Sequence, residues 1–135
     1  MNIRHISKLF YQIKLVNQEI TTKFEKETGF SITRYELIMF LKEHGKSPQS
    51  TLQNALKIDS AAVTRHLKVL EDKHYVTRER NKANNREVLV SATAQANEAL
   101  ASCETHYDAN SNKIHLPLSQ AEEETLLDLL TRLVK

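Results

Sequence analysis

The sequence feature that most restricts the fold of this chain is a change in apolar spacing at Tyr75. In the segment before it, apolar residues recur at the steps of one helical face: Val63, Leu67 and Leu70. After it, residues 76–80 and 87–90 have the pattern of two β-strands, separated by a polar turn at residues 81–85. The sequence therefore predicts a helix that leads directly into a charged β-hairpin.

A short helix is predicted well ahead of this one. Thr33 and Glu36 have the spacing of a capping box, in which each side chain satisfies a backbone N–H at a helix start. The box stands before the apolar run 37–41, and Gly45 is positioned to end the helix.

Two further short helices are predicted between Gly45 and the hairpin. The first is expected to begin with Ser47 as its N-cap and Pro48 in its first turn. Its buried stripe would consist of Leu52, Ala55 and Leu56. Asp59 can cap the next helix, whose apolar side is the stripe that begins at Val63. The opposite face of that helix carries small and basic side chains: Ser60, Ala61, Thr64, Arg65 and Lys68.

Longer amphipathic helices are predicted at both ends of the chain. The stripe of the first ends near Gly29 and consists of Ile3, Ile6, Phe10, Ile13, Val16, Ile20 and Phe24. A second is expected from Thr93, with a stripe of Ala96, Ala99, Leu100, Cys103, Tyr107 and Ile114. Ser119 and Glu122 form a capping box for a last helix. The apolar side of that helix consists of Leu126, Leu127, Leu130, Leu133 and Val134.

Length and composition exclude several classes of protein. The 135 residues suffice for one domain with a single core. Two glycines, Gly29 and Gly45, are too far apart to form a glycine-rich phosphate-binding loop. The longest apolar run is far shorter than a membrane helix, and a single cysteine, Cys103, suits a reducing compartment. We therefore expect a cytoplasmic protein with no cofactor and no membrane partner.

The net charge of +2 is unevenly distributed. Residues 65–86 contain seven basic and three acidic residues, a net charge of +4, so the rest of the chain carries −2. Basic charge concentrated in one segment is typical of a surface that binds a polyanion. For Arg78 and Arg80 a purely structural role is the alternative, because they can pair with Glu79 or Glu87 in the hairpin.

Three short helices followed by a basic hairpin indicate a winged helix-turn-helix, a mainly α fold with a small β-hairpin. The third helix is the expected recognition helix, because a B-DNA major groove admits one α-helix and small residues allow close approach to the bases. Arg65 and Lys68 can then reach bases or phosphates. In the hairpin, or wing, Lys82 and Arg86 are expected beside the duplex, where arginine can enter a narrow minor groove. The predicted partner is double-stranded DNA.

The flanking helices have more apolar surface than a winged helix can cover, so their expected role is dimerisation. Residues 1–29 and 93–135 would supply the dimerisation helices of a single domain, and residues 31–91 its DNA-binding lobe. A two-fold homodimer presents two recognition helices and should read a pseudo-palindrome with half-sites roughly 34–36 Å apart.

A family resemblance rests on three segments. They are SAAVTRHLKVLEDK at residues 60–73, YVTRER at 75–80 and NNREV at 84–88. In them the chain resembles the MarR family of bacterial transcriptional regulators, and the family's order of helices and wing covers the whole chain. The resemblance implies a homodimer, a wing arginine at Arg86, and repression relieved by a ligand, commonly a small aromatic acid.

The chain departs from the family pattern at two places. The wing of the family often reads Asp-x-Arg, and here Asn84, also a candidate DNA contact, takes the first position. The Leu-Thr-x-x-Gly sequence that usually opens the helix after the wing is ATAQA at residues 92–96.

Other functions stay open as alternatives. A winged helix can serve as a protein-interaction module, which does not need a basic face. Cys103 and His106 lie at i, i+3 and could face one metal ion, so a metal-responsive regulator is a second alternative. On the apolar stripe, Cys103 is expected to be a small buried hydrophobe and not a redox sensor. No Ser/His/Asp or paired-carboxylate set lies on elements that would converge, so catalysis is not expected.

Overall fold

The computed structural model describes residues 2–109 and 116–134, except for the side chains of residues 85 and 104–109. The elements in these ranges are α1 Ile3–Thr28, α2 Ile32–His44, β1 Ser47–Pro48, α3 Gln49–Leu56, α4 Ser60–Asp72, β2 Val76–Asn81, β3 Asn84–Ala92, α5 Ala94–Ala109 and α6 Gln120–Leu133. The strands form an antiparallel sheet in the order β1-β3-β2. The predicted mainly α, winged helix-turn-helix fold is confirmed, and β1 adds a third strand to the hairpin.

The start of α2 differs from the prediction. Ser31 is the N-cap: its backbone is extended, with φ −67° and ψ 150°, and its Oγ accepts from the backbone N–H of Arg34 at 3.3 Å. Thr33 lies inside the first turn, where its side chain cannot cap, so the predicted Thr33 and Glu36 capping box is wrong. Gly45 ends the helix as predicted, with φ 78° and its N–H donating back into the last turn.

Ser47 and Pro48 form β1 and do not begin a helix. Ser47 is buried opposite Val90 of β3, and its hydroxyl donates to the carbonyl oxygen of Gly45 at 2.9 Å. Because the hydroxyl is used there, it is not available to α3, whose N-cap is Pro48 with no side-chain bond. The predicted Ser47 N-cap is therefore wrong.

The hydrophobic core lies in the middle of the chain. Its largest fully buried side chains come from α2, α3, α4, the sheet and α5: Leu37, Ile38, Leu52, Val63, Leu67, Leu70, Val76, Val90 and Leu100. All three apolar residues predicted to anchor α4 are among them. In α3, Leu52 is buried and Leu56 is partly buried, whereas Ala55 is exposed. The inward face of this short helix is thus narrower than predicted.

The first turn of α5 is tied to the end of α4. Thr93 Oγ1 accepts from the backbone N–H of Ala96 at 3.1 Å and donates to the carbonyl oxygen of His74 at 2.7 Å. Thr93 therefore caps α5 even though the family pattern around it is changed. In the predicted α5 stripe, Ala96 and Leu100 are buried. The side chain of Tyr107 and the whole of Ile114 lie outside the described residues.

The helices α1 and α6 contribute no fully buried residue. Their ends are as predicted: Gly29 ends α1 in the left-handed conformation, and Ser119 and Glu122 form a capping box at α6. Both helices expose large apolar side chains, including Leu9, Phe10, Tyr11, Leu15, Val16, Ile20, Leu126, Leu127, Leu130 and Leu133. Within residues 2–109 and 116–134, none of the helices combines the length and the apolar character that a membrane span requires.

Candidate nucleic-acid interface

The outer face of α4 carries the small and basic residues that were predicted to be exposed. Asp59 starts the helix, since its Oδ1 accepts from the backbone N–H of Ala62 at 2.7 Å. The buried side chains of the opposite face fix the rotation of the helix about its axis. The residues left exposed by that rotation are Ser60, Ala61, Thr64, Arg65 and Lys68.

Thr64 is held by a residue outside α4 that was not among the predicted site residues. Gln49, the first residue of α3, donates from Nε2 to Thr64 Oγ1 at 2.9 Å. Both side chains reach solvent, with Thr64 exposed and Gln49 partly buried. Nothing in the local sequence around Gln49 indicates this contact, because the two residues belong to different helices.

The turn at the tip of the wing is shorter than the five-residue turn predicted from the sequence. The strands extend to Asn81 and from Asn84, so only Lys82 and Ala83 lie between them. Asn81 Oδ1 accepts from the backbone N–H of Ala83 at 3.0 Å, and Asn84 Oδ1 accepts from the backbone N–H of Arg86 at 3.2 Å. The Asn84 side chain thus supports the backbone at Arg86. Lys82, Asn84 and Arg86 are exposed.

Six basic residues of α4, the wing and the segment before β1 fall into two groups. Arg78 is paired: its Nη2 lies 2.9 Å from Glu71 Oε1 at the end of α4, and not beside Glu79 or Glu87 as was considered from the sequence. Lys46 is paired with Glu79. These bonds hold β2 against α4 and against the segment that precedes β1.

The second group has no carboxylate partner among the described residues. It consists of Arg65, Lys68, Lys82 and Arg86. Two of these lie on α4 and two at the wing, and no hydrogen bond or ion pair within residues 2–109 and 116–134 joins the two pairs. Lys82 lies close enough to Glu79 to lower the pKa of that carboxyl, but it forms no ion pair with it. Positive charge on two projecting elements creates a field that attracts a polyanion.

The pairing of the first group is reflected in its acidic partners. The hydrogen bond from Arg78 lowers the pKa of Glu71 below its ordinary value, and the hydrogen bond from Lys46 does the same for the pKa of Glu79. Both carboxylates are therefore ionised at neutral pH.

His66 lies on the side of α4 between the core and the exposed face. Partial burial lowers the pKa of its ring, and the charges of Arg34 and Arg65 lower that pKa further. The imidazole is therefore neutral at neutral pH and adds no charge to the basic face.

Of the two residues considered as metal ligands, only Cys103 has a described side chain. No group of three or more His, Cys, Asp or Glu side chains suited to a metal occurs in the described part of the chain. Cys103 is partly buried, and its Sγ donates to the carbonyl oxygen of Thr28 at 3.4 Å. The side chain of His106 lies outside the described residues.

Comparisons with known proteins agree with this geometry. The family model described as the MarR family matches residues 30–88, which include α4 and most of the wing. The HTH-type transcriptional regulator YdgJ of Bacillus subtilis (strain 168) is 39% identical over 127 residues, which cover 94% of this chain and 77% of that protein.

Two solved structures have a similar fold. A probable transcriptional regulator from Pseudomonas aeruginosa has a TM-score of 0.81 at 25% identity, covering 92% of this chain and 95% of its own. A mutant MarR from E. coli, complexed with operator DNA, has a TM-score of 0.82 at 22% identity and matches over 100% of both chains. The extent of the similarity to the Bacillus regulator, together with the family match over residues 30–88, shows that this chain belongs to the MarR family of DNA-binding transcriptional regulators, which are not enzymes.

Proposed function

We propose that this protein is a homodimeric repressor that reads a pseudo-palindromic operator through α4 and the wing. The observation that carries the proposal is the set of four exposed basic side chains without carboxylate partners, Arg65, Lys68, Lys82 and Arg86. None of the four forms an ion pair in the described part of the chain, so phosphates can neutralise their charge. A protein-interaction module would not need this uncompensated charge.

In this proposal α4 enters the major groove with its exposed face toward the bases. Ser60 and Ala61 are small enough for the start of the helix to approach the base edges closely. Thr64 offers a hydroxyl group one turn further on, and Arg65 and Lys68 can reach bases or adjacent phosphates. The α4 face supplies sequence preference, since base edges carry the sequence information.

The wing supplies contacts that depend little on sequence. Arg86 has a backbone N–H bonded to Asn84 and a side chain free of carboxylates in the described residues. An arginine held in this way can enter the minor groove, where the negative potential is strongest when the groove is narrow. Lys82 at the tip adds a phosphate contact.

Dimerisation is supported by the apolar faces of α1 and α6. Side chains such as Phe10, Tyr11 and Leu127 are more than half exposed in the single chain, at 58%, 57% and 68%. Large contiguous apolar surfaces of this kind mark interfaces between proteins. A two-fold dimer formed through them presents two copies of α4, and the structure of the E. coli family member in complex with operator DNA shows that this fold engages a duplex in that protein.

Relief of repression by a small organic molecule completes the proposal. A cleft of about 670 Å³ lies where the end of α4, the start of β2 and the start of α5 meet, and the paired Glu71 and Arg78 form part of its wall. A ligand there contacts both the reading lobe and the helix that leads away from it. Its affinity can then differ between the DNA-competent arrangement and another one, which is the requirement for allosteric release. An aromatic acid is the ligand class that the family resemblance implies, and its carboxylate would have to displace Glu71 from Arg78.

Binding to a fluorescent duplex at several salt concentrations tests the DNA-binding part of the proposal. The logarithm of the binding constant should fall linearly with the logarithm of salt, with a slope of about −0.9 for each phosphate neutralised. An affinity that does not depend on salt would contradict the proposal. Addition of benzoate or salicylate to the preformed complex tests the ligand response. We expect the aromatic acid to release the duplex.

A further inference from the structure

We infer that Gln49 is a positioning residue for sequence recognition: it fixes the Thr64 hydroxyl as a hydrogen-bond donor toward the base edges of the operator. The inference rests on the proposed function, since it assigns a direction to one contact of the proposed reading face. It concerns α3, a helix that lies outside the three segments of family resemblance.

The first observation is the bond itself. Gln49 Nε2 donates to Thr64 Oγ1 at 2.9 Å, across the two helices of the helix-turn-helix. A hydroxyl oxygen has two lone pairs and one proton, and this bond occupies one lone pair. The amide thereby restricts the directions in which the hydroxyl proton can point.

The second observation is that the Thr64 proton is not used by its own helix. Four other helical threonines donate their hydroxyls to the carbonyl oxygen four residues earlier: Thr22, Thr28, Thr125 and Thr131. The Thr64 hydroxyl makes no such bond to Ser60, and the one hydrogen bond of that hydroxyl in the described residues is the bond it accepts from Gln49. The proton is therefore available for a ligand.

The third observation is the place of the pair. Thr64 lies on the exposed face of α4 between Ala61 and Lys68, and Gln49 is at the beginning of α3. A donor at this point of a recognition helix fits the acceptor atoms of the major groove, which are purine N7, guanine O6 and thymine O4. The carbonyl oxygen of the same glutamine amide is left as an acceptor for solvent.

Without Gln49 the hydroxyl of Thr64 can rotate, and it can turn back to the Ser60 carbonyl, as the hydroxyls of Thr22 and Thr125 do in their helices. The donor would then be lost for part of the time although Thr64 itself is unchanged. The consequence is a weaker preference at the contacted base pair, with little change in binding that depends only on phosphates.

The test is a selection from a pool of duplexes with a randomised central segment, carried out with the full-length protein and with Gln49→Ala. The preference at one base pair in each half-site should fall about fivefold to tenfold, in keeping with the loss of one hydrogen bond, while the other positions keep theirs. Affinity for the unselected pool should stay the same. Asn54→Ala, an exposed residue of the same helix, is the matched control and should select the original sequence.

Variants of Thr64 separate positioning from a direct base contact by Gln49. Thr64→Val removes the hydroxyl and keeps the shape of the side chain, so it should reduce the base preference at the same base pair. The double variant with Gln49→Ala should lose no more of that preference than Thr64→Val alone. Thr64→Ser keeps the hydroxyl and should keep the preference. Additive losses, or an unchanged preference in Gln49→Ala, would overturn the inference while leaving the proposed function intact. Failure of the unsubstituted protein to select any sequence would overturn both.

Discussion

The winged helix-turn-helix lobe, from α2 to the start of α5, and the two terminal helices differ in how their apolar residues are used. In the lobe, residues such as Leu37 and Leu67 are fully buried by neighbours in the same chain. In α1 and α6, large side chains such as Phe10 and Leu127 stay exposed, and neither helix contains a buried residue. The lobe can therefore be stable within one chain, whereas the terminal helices need a second surface to bury theirs.

Charge follows the same division. The segment 65–86 carries +4 and the rest of the chain −2. Its exposed bases Arg65, Lys68, Lys82 and Arg86 form no ion pair in the described residues. In the lobe the exposed surface is basic and the apolar residues are inside, while the terminal helices expose apolar residues. The comparison supports the proposal that one region binds a polyanion and the other binds a second copy of the chain.

The largest expected effect comes from charges placed on the apolar face of α6. In the double variant Leu126→Asp and Leu130→Asp, each leucine removed from an interface takes away about 1.5–3 kcal/mol of burial, and each loss occurs twice in a two-fold dimer. We expect the dimer to dissociate or to aggregate in size-exclusion chromatography with light scattering. Glu124→Lys, on the same helix but outside the apolar stripe, should remain a dimer. A monomeric unsubstituted protein, or a dimeric double variant, would remove the distinction between the two regions.

Truncation of a buried leucine in the lobe should have the next largest effect. Leu67→Ala removes a side chain that is 0% exposed, so the free energy of unfolding should fall by about 2–5 kcal/mol. Leu127→Ala, introduced into the double variant with Leu126→Asp and Leu130→Asp, should lower the free energy of unfolding by less than about 0.5 kcal/mol. The reason is that the Leu127 side chain is 68% exposed in the single chain. Urea unfolding measures both. Equal losses at the two positions would mean that the single chain covers α6 itself.

Within the lobe, the two unpaired basic patches should affect DNA binding differently. Arg86→Ala should weaken binding to every duplex and reduce the salt slope by about 0.9 for each phosphate that is no longer neutralised. Arg65→Ala should also relax base preference, by about 1–3 kcal/mol at the contacted position. Arg132→Ala removes a base from α6 that is already paired with Asp128, and it should leave binding unchanged. Identical effects of all three changes would mean that net charge alone governs binding.

The smallest effect concerns the Glu71 and Arg78 pair that holds β2 against α4. The bond from Arg78 lowers the pKa of Glu71 in the folded protein, so its contribution is present above the unfolded pKa and is lost as pH falls below about 4. Both side chains are partly exposed to solvent, which limits the contribution to less than about 1 kcal/mol. In Glu71→Gln, the fall in unfolding free energy between neutral and acidic pH should be smaller by that amount. A fall as large as in the unsubstituted protein would show that the pair does not stabilise the lobe.

The features that could be predicted from the sequence are those encoded within a few residues. The Asp59 cap, the Ser119 capping box and the apolar stripe of α4 each depend on residues one or two turns apart, and all three were predicted correctly. At Ser31 the prediction failed locally, because two hydroxyl residues compete for the same helix start and the extended backbone of Ser31 decides between them.

The features that could not be predicted depend on residues that are distant in the chain. Ser47 is drawn into a strand by pairing with Val90, which a search for helix caps cannot detect. The ion pair of Arg78 with Glu71 and the bond between Gln49 and Thr64 each join two separate elements. The exposed residues of the candidate site were thus predictable from periodicity, but the partners that orient them were not.

In the proposed complex, a dimer formed through the terminal helices holds two winged helix-turn-helix lobes on one duplex. Hydroxyl-radical footprinting on a duplex selected by the protein tests this directly. Two protected half-sites, roughly 34–36 Å apart along one side of the DNA, are expected, with two chains bound per duplex. A single protected half-site with one chain bound would contradict the account.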